Sequence, residues 1–153
     1  MSLTVVWSLT ACQDNSKSNS DTSTYTNEVS AQDTTINGQD NNRNGVRDDI
    51  DDIITKEYTG DGLQKAAMVY AQQLQTNIMS TNFTSDQAAD MMSLQLKAAT
   101  CLRFAADPSN INAIERLFAS TVNTKARLAA MRNLSDKVGI TSFTLPKKSE
   151  CSS

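Results

Sequence analysis

The amino-acid composition of the chain changes near Gln39, and this change limits which part of the chain can fold. Between Gln13 and Gln39 the residues are mostly Asn, Ser, Thr, Asp and Gln, with scarcely an aliphatic side chain. Such a stretch buries too little apolar surface to offset the entropy that ordering costs, so residues 13–39 are expected to form a disordered polar tether. The rest of the 153-residue chain is long enough for one hydrophobic core. We place the folded domain at residues 40–146 and a C-terminal tail at residues 147–153.

Apolar residues beyond the tether recur at helical spacing, which predicts four helical segments and a shorter fifth. The predicted segments run from about Arg47 to Tyr58, from Gly62 to Ser80, from Asp86 to Ala106, from Pro108-Ser109 to Val122, and, after a break near Asn123, to about Asp136. Aliphatic side chains dominate these segments, and aromatic residues make up only 5% of the chain. The expected fold is therefore all-α, a small antiparallel bundle of four to five helices, with an extended stretch over residues 140–145.

The ends and faces of these helices are also predicted. Asp61 is expected to cap the second helix, and Thr84 with Gln87 resembles a capping box that opens the third. The third helix is apolar around much of its circumference, so it is expected to be the central one. The expected core stripes are Leu63, Ala67, Tyr70, Leu74 and Ile78 in the second helix, and Ile111, Ile114, Phe118 and Val122 in the fourth. Met79, Met91 and Met92 either line a pliable groove or, the favoured interpretation, pack in the core.

The segment that opens the folded part, residues 40–51, reads DNNRNGVRDDID. Oxygen-bearing side chains alternate along it, and Ca²⁺ takes about six to eight hard oxygen ligands. Gly45 lies in the middle, where a tight loop bends into a conformation that other residues resist. Carboxylates crowd the start of the first helix, where the helix dipole favours negative charge. The pattern predicts a calcium-binding loop, and the alternative is an Asn- and Asp-rich turn without a metal.

This loop resembles the calcium loops of EF-hand, dockerin and thrombospondin type-3 proteins, and its NGVRDDI segment is similar to one in uncharacterised bacterial lipoproteins. The resemblance implies inward-pointing oxygens at alternate positions and a final carboxylate in the first turn of the exiting helix. The ligands that it implies are Asp40, Asn42, Asn44, the main chain of Val46, Asp48 and Asp51. Because no second loop pairs with this one and no helix precedes it, the expected site is half an EF-hand, with a Kd of about 10⁻⁴–10⁻³ M.

An apolar run near the start of the chain ends in a cysteine, and Leu3 to Cys12 reads LTVVWSLTAC. Its last four residues resemble the lipobox of bacterial lipoproteins, in which the signal peptide is cut before the cysteine and the thiol carries diacylglycerol. The resemblance implies that residues 1–12 are a signal remnant with a lipobox and that Cys12 is lipidated. Gln13, the residue after the cysteine, resembles the residue found there in lipoproteins that are sorted to the outer membrane. We therefore expect a lipid-anchored protein of the cell envelope, located in the outer membrane and facing the periplasm or the exterior. The alternative is a stray apolar N-terminus with a buried cysteine.

The two remaining cysteines, Cys101 and Cys151, form an even pair. In an oxidising periplasm they are expected to form a disulfide, which the chain-entropy model values at about 3–4 kcal/mol. The alternative is a free, buried Cys101. The chain has no histidine and no Cys-x-x-Cys motif, so a zinc site is not expected.

Composition also limits the functional classes. The bases are scattered singly without aromatic neighbours, so nucleic-acid binding is not expected. With no histidine, no Gly-rich phosphate loop and no serine elbow, the sequence assigns no catalytic residue. A hydrolase that uses the paired carboxylates Asp48/Asp49 or Asp51/Asp52 is the less favoured alternative. We expect an envelope lipoprotein with a structural Ca²⁺ site. It would be a binding or structural module whose partner is a protein or glycan. The second alternative is a dockerin-like docking module.

Overall fold

The computed structural model of the chain describes residues 35–106 and 112–151, and within them it contains five α-helices and no strand. The helices are α1 (Asp48–Glu57), α2 (Asp61–Met79), α3 (Ser85–Ala105), α4 (Ala113–Thr121) and α5 (Lys125–Val138), followed by a short 3₁₀ helix, Lys148–Glu150. The predicted all-α bundle is confirmed. The predicted signal remnant with its lipobox, and the tether up to residue 34, lie outside the described residues.

Helix α2 lies at the centre of the bundle. All five residues of its predicted stripe are buried, namely Leu63, Ala67, Tyr70, Leu74 and Ile78. This helix packs against each of the other four helices. The stripe is therefore confirmed, but the central position that we expected for α3 belongs to α2.

Helix α3 begins as predicted. The Thr84 hydroxyl accepts the backbone N–H of Gln87 at 3.2 Å, and the Gln87 side chain accepts the N–H of Thr84 at 2.8 Å. Its apolar circumference is only partly covered, because Leu94 is 52% exposed and Phe104 is 39% exposed. Met91 and Met92 are partly buried against the core, as the favoured interpretation expected. Met79 is 50% exposed, so for this residue that interpretation is wrong.

One helix start differs from the prediction, and another predicted start lies outside the described residues. Gly60, with φ +99°, is the N-cap of α2 and Asp61 is its first helical residue, so the predicted Asp61 cap is wrong. The described part of α4 starts at Ala113, and the predicted start at Pro108 falls among residues 107–111, which the structure does not describe.

The buried face of α4 also differs from the prediction. Ala113, Leu117 and Thr121 are buried, whereas Ile114 and Phe118 of the predicted stripe are only partly buried. Val122 is buried as predicted, and Ile111 lies outside the described residues.

The predicted break near Asn123 is confirmed. Helix α4 ends at Thr121, and the Thr124 hydroxyl caps α5 by accepting the N–H of Arg127 at 3.2 Å. The side-chain cap gives the chain a new helix start where β-branched residues disfavour continuation.

A disulfide joins Cys101 of α3 to Cys151, with an S–S distance of 2.03 Å. It confirms the predicted pair, and the alternative of a free Cys101 is wrong. The bridge holds the segment after α5, which has no regular structure over residues 140–147, beside α3. No helix in the described ranges has both the length and the apolar character needed to cross a bilayer.

Candidate metal centre

The loop of residues 40–51 folds around the carboxylate of Asp40. Its Oδ1 accepts the backbone N–H of Asn44 at 3.2 Å, and its Oδ2 accepts that of Gly45 at 3.0 Å. Gly45 has φ +83°, the positive value that the sequence predicted for a sharp bend at this position. The first predicted ligand thus organises the loop that follows it.

Asn42 and Asn44 repeat the same local bond two residues apart. The Asn42 Oδ1 accepts the N–H of Asn44 at 3.0 Å, and the Asn44 Oδ1 accepts the N–H of Val46 at 2.8 Å. These are Asx turns, in which a side-chain oxygen takes the place of a backbone carbonyl. The turns orient both side chains toward the same side of the loop, where they meet Asp51.

Asp51 reaches this loop from the first turn of α1. Its Oδ2 accepts the side-chain Nδ2 of Asn42 and that of Asn44, each at 2.8 Å. Its Oδ1 is buried and has no hydrogen-bond partner among the described residues. A buried carboxylate oxygen without a donor costs free energy, because the carboxylate has lost its contact with water and gained no hydrogen bond in return.

Asp48, the third carboxylate of the predicted site, faces a different neighbour. Its Oδ1 accepts the N–H of Asn41 at 3.0 Å, and its Oδ2 accepts the Asn41 Nδ2 at 2.7 Å. Val46 is buried, and its N–H is the donor to Asn44. Within residues 35–106 and 112–151 there is no group of three or more Asp, Glu, Cys or His side chains arranged to hold a metal. The structure therefore brings together Asp40, Asn42, Asn44 and Asp51, and directs Asp48 to Asn41.

The four converging side chains suit a hard cation. Each Asp40 oxygen accepts one hydrogen bond and retains acceptor capacity, and so does the Oδ1 of each asparagine. Asp51 adds an oxygen for which the described residues supply no donor. Carboxylate and amide oxygens are the groups that Ca²⁺ accepts in flexible loops, so the donor set fits this ion.

No family model, curated protein or solved structure matches this chain. The function is therefore argued from the site itself.

A buried arginine anchors the end of the loop to the helical body. The Arg47 guanidinium donates to both carboxylate oxygens of Asp49, at 2.9 Å each, and its Nη1 donates to the carbonyl of Thr121 at 2.9 Å. Thr121 is the last residue of α4, so Arg47 supplies a donor to a carbonyl that the helix end leaves unsatisfied. The loop is thereby fixed to an element more than 70 residues away in sequence.

A second buried arginine holds the segment that enters the loop. Arg127 donates from Nε to the carbonyl of Ile36 at 3.2 Å and from Nη2 to that of Thr35 at 2.9 Å. The Gln75 side chain of α2 donates to the carbonyl of Asn37 at 2.8 Å. Residues 35–39, which the sequence analysis assigned to the tether, therefore lie against the helical body.

Sequence reasoning missed both arginines, although one signal for Arg127 was present. Arg127, Met131 and Leu134 follow each other at helical spacing and are all buried, so Arg127 continues an apolar face. Arg47 gives no such signal, because its acceptors on α4 come together with it only in the folded chain.

Proposed function

We propose that the loop of residues 40–51 binds Ca²⁺ and that this ion stabilises the start of the helical domain. The observation that carries the proposal is the buried Oδ1 of Asp51, which has no partner among the described residues. Neutral amide groups are the donors to the other oxygen of this carboxylate. A bound cation would supply the positive charge that this arrangement lacks.

The residues that would hold the ion are Asp40, Asn42, Asn44 and Asp51. Calcium is favoured over zinc because all four side chains offer oxygen and the chain contains no histidine. It is favoured over Mg²⁺ because an irregular loop suits the variable coordination of Ca²⁺ better than a strict octahedron. Asp48 and the main chain of Val46, which the calcium-loop resemblance also implies, remain predicted ligands.

The ion would have a structural role, because the loop lies between three anchored parts of the chain. Asp51 belongs to α1, Arg47 binds the end of α4, and the carbonyl of Asn44 accepts the side-chain N–H of Gln72 from α2 at 2.8 Å. Loss of the ion would leave Asp51 uncompensated beside all three contacts. We therefore expect calcium to raise the stability of the domain as a whole.

We further propose that the protein is an exported, lipid-anchored module of the bacterial cell envelope with a binding or structural role. The lipobox-like LTAC sequence supports the anchor at Cys12. A disulfide is typical of oxidising compartments such as the periplasm, so the Cys101–Cys151 bridge supports export. A weak calcium site suits the same setting, where free calcium is far higher than in cytosol.

Thermal unfolding of the full chain tests the calcium proposal. With about 5 mM Ca²⁺ and a Kd of about 10⁻⁴–10⁻³ M, the expected stabilisation over a chelator is about 1–2.5 kcal/mol. That corresponds to a rise of several degrees in Tm, and Mg²⁺ should give a smaller rise. An equal Tm with Ca²⁺ and with chelator would refute the proposal.

Single carboxylate variants sharpen this test. Asp51→Asn and Asp40→Asn should abolish the Ca²⁺-dependent rise in Tm. Asp52→Asn is the matched control, because it removes the same charge from the adjacent residue of α1, where Asp52 is exposed and only 3.6 Å from the Lys56 ammonium group. A calcium response in Asp51→Asn equal to that of Asp52→Asn would mean that the ion binds elsewhere.

Lipidation is tested separately in a bacterial host. The proposal expects a diacylglyceryl mass on the N-terminal peptide that begins at Cys12, and membrane fractionation of the protein. Cys12→Ala should remove both properties and leave the calcium response unchanged. An unmodified Cys12 in the exported protein would contradict the anchor but not the metal site.

A further inference from the structure

A groove of about 740 Å³ runs between α2 and α3, on the side of the bundle where the disulfide lies. Its floor is apolar, with Ala66 and Val69 from α2 and Leu94 and Phe104 from α3. Three of these side chains are large and exposed, Val69 at 48%, Leu94 at 52% and Phe104 at 39%. Apolar side chains that converge on one groove, instead of being scattered, mark a binding surface.

The rim of the groove is basic, although the chain as a whole is acidic. Lys65, Lys97 and Lys148 line it, and Glu150 is the single acid among the lining residues. None of the three lysines forms an ion pair with an acid in the described part of the chain. The protein has a formal net charge of −3, so this local excess of positive charge is not a consequence of overall composition.

The Cys101–Cys151 disulfide fixes the third side of the groove, whose other two sides are α2 and α3. Cys101, Lys148 and Cys151 all line the groove, and the Cys101–Cys151 bridge holds the 3₁₀ helix against α3. The groove is therefore bounded by covalently connected elements. A pre-formed site of this kind lowers the ordering cost of binding.

We propose that this groove binds a fatty acid, with the alkyl chain along the apolar floor and the carboxylate at the lysines. Charge complementarity selects an anion, and the apolar floor selects an alkyl chain. The lining residues of α2 extend from Gly62 to Gln73, which is about 16 Å of helix and suits a chain of lauroyl length. The volume of the groove lies within the range of about 300–1,000 Å³ that is usual for small-molecule sites.

Isothermal titration of the full chain with laurate below its micellar concentration tests the proposal. Laurate should bind with a stoichiometry of one, and dodecyltrimethylammonium, which has a chain of the same length and the opposite charge, should bind about tenfold more weakly or worse. The measurement is made in calcium-free buffer, because Ca²⁺ precipitates laurate as an insoluble soap, and it is repeated with Asp51→Asn, so that failure of the calcium site and failure of the groove are distinguishable.

Matched variants locate the site. Lys65→Gln, Lys97→Gln and Lys148→Gln should each weaken laurate binding about two- to five-fold, because each removes one exposed charge. The control set is Lys56→Gln, Lys125→Gln and Lys137→Gln, which change the charge equally away from the groove. Leu94→Asn should weaken binding about fivefold, whereas Leu128→Asn, at a similarly exposed leucine of α5, should leave it unchanged.

Four results would overturn the proposal. The first is equal affinity for laurate and the cationic amphiphile, and the second is equal loss in the groove and control variants. The third is binding to anionic phospholipid vesicles that requires the three lysines and that laurate does not inhibit. That result would assign the surface to a membrane. The fourth is a dimer in sedimentation that Leu94→Asn dissociates, which would assign the groove to a second copy of the chain.

Discussion

Gly38 lies where the entry segment crosses the buried side chain of Arg47. Its φ is +66°, and a Cβ at this position would lie 1.9 Å from the Arg47 Cδ. A side chain here forces either the entry segment or the arginine to move, and the backbone conformation is itself unfavourable for alanine. The glycine is therefore required both by its backbone angles and by the space it leaves.

We expect Gly38→Ala to lower the free energy of unfolding by about 2–3 kcal/mol, from strain plus the displaced arginine contacts. Gly62→Ala is the matched control. Gly62 lies in the first turn of α2, and a Cβ there would meet no atom within 4 Å beyond the local helix backbone, so alanine should raise stability by about 0.4–1 kcal/mol. Urea unfolding measures both changes. A Gly38→Ala protein as stable as the parent would show that the entry segment is not held as described.

Two buried phenols make the stability of the domain sensitive to high pH. Burial raises the pKa of Tyr58 above 10.0, although Arg116 opposes the shift. Burial also raises the pKa of Tyr70, and the nearby Glu115 adds to the effect. The Tyr58 hydroxyl donates to the carbonyl of Ala113 at 2.7 Å, a bond that only the neutral phenol makes. Folding therefore favours the protonated form of both residues.

The sign of the pH effect follows from these shifts. Below pH 10.0, the unfolded value, both phenols are neutral in both states and their contribution to stability is complete. Above it the unfolded state releases protons first, so stability falls by up to about 1.4 kcal/mol per pH unit for each residue. Urea midpoints between pH 8 and pH 11 measure the loss. Tyr58→Phe/Tyr70→Phe should flatten the profile, and an equally steep profile in that variant would contradict the assignment.

Some side-chain roles could be predicted from the sequence and others could not. The positive φ of Gly45 and the meeting of Asp40, Asn42 and Asn44 with Asp51 depend on contacts inside one short loop, so the loop pattern predicts them. The burial of Arg127 depends on the carbonyls of residues 35 and 36, more than 90 residues earlier. Such a partner is defined only once the chain has folded.

At the scale of helices, local signals were reliable where both partners lie within one turn. The predicted Thr84–Gln87 capping box sets the start of α3. The break before α5 was predicted, but the Thr124 cap that starts this helix was not. The start of α2 was misassigned because Gly60 and Asp61 are adjacent and both suit an N-cap position. The inward face of α4 was predicted only in part, because Val122 is buried but Ile114 and Phe118 lie at the edge of the buried face.

The disulfide connects α3 to the segment that follows α5. It closes a loop with a sequence separation of 50. In the chain-entropy model the bridge stabilises the fold by restricting the unfolded chain. Its second effect is local, because it keeps Lys148 and Cys151 at the groove between α2 and α3.

We expect Cys101→Ser/Cys151→Ser to lower the free energy of unfolding by about 3–4 kcal/mol while the five helices still form. Circular dichroism with urea unfolding measures this change. The calcium-dependent rise in Tm should persist, because the hydrogen bonds that hold the loop involve neither cysteine. A loss of the calcium response in this variant would show that the loop depends on the C-terminal segment, which the structure does not indicate.

For the whole molecule, long-range contacts join the start of the described chain and the loop to the last two helices. Arg127 of α5 holds the carbonyls of Thr35 and Ile36, Arg47 holds the end of α4, and α2 packs against all the other helices. The loop is thus one part of a single cooperative core. A ligand that binds only the folded loop must therefore slow every unfolding event that breaks the loop.

Hydrogen exchange distinguishes this coupling from a purely local effect of calcium. The amides of Gly45 and Asp48, bonded to Asp40 and to the carbonyl of Gln39, report on opening of the loop, and core amides of α2 report on global unfolding. About 5 mM Ca²⁺ should slow both sets by the same factor, about five- to fifty-fold for a Kd of about 10⁻⁴–10⁻³ M. The amide of Cys151, in the turn that ends the 3₁₀ helix, opens without breaking the loop and should be unaffected. Slowing of the loop amides with unchanged exchange in α2 would mean that calcium does not favour the folded domain over the unfolded chain, and the structural role proposed for the ion would be wrong.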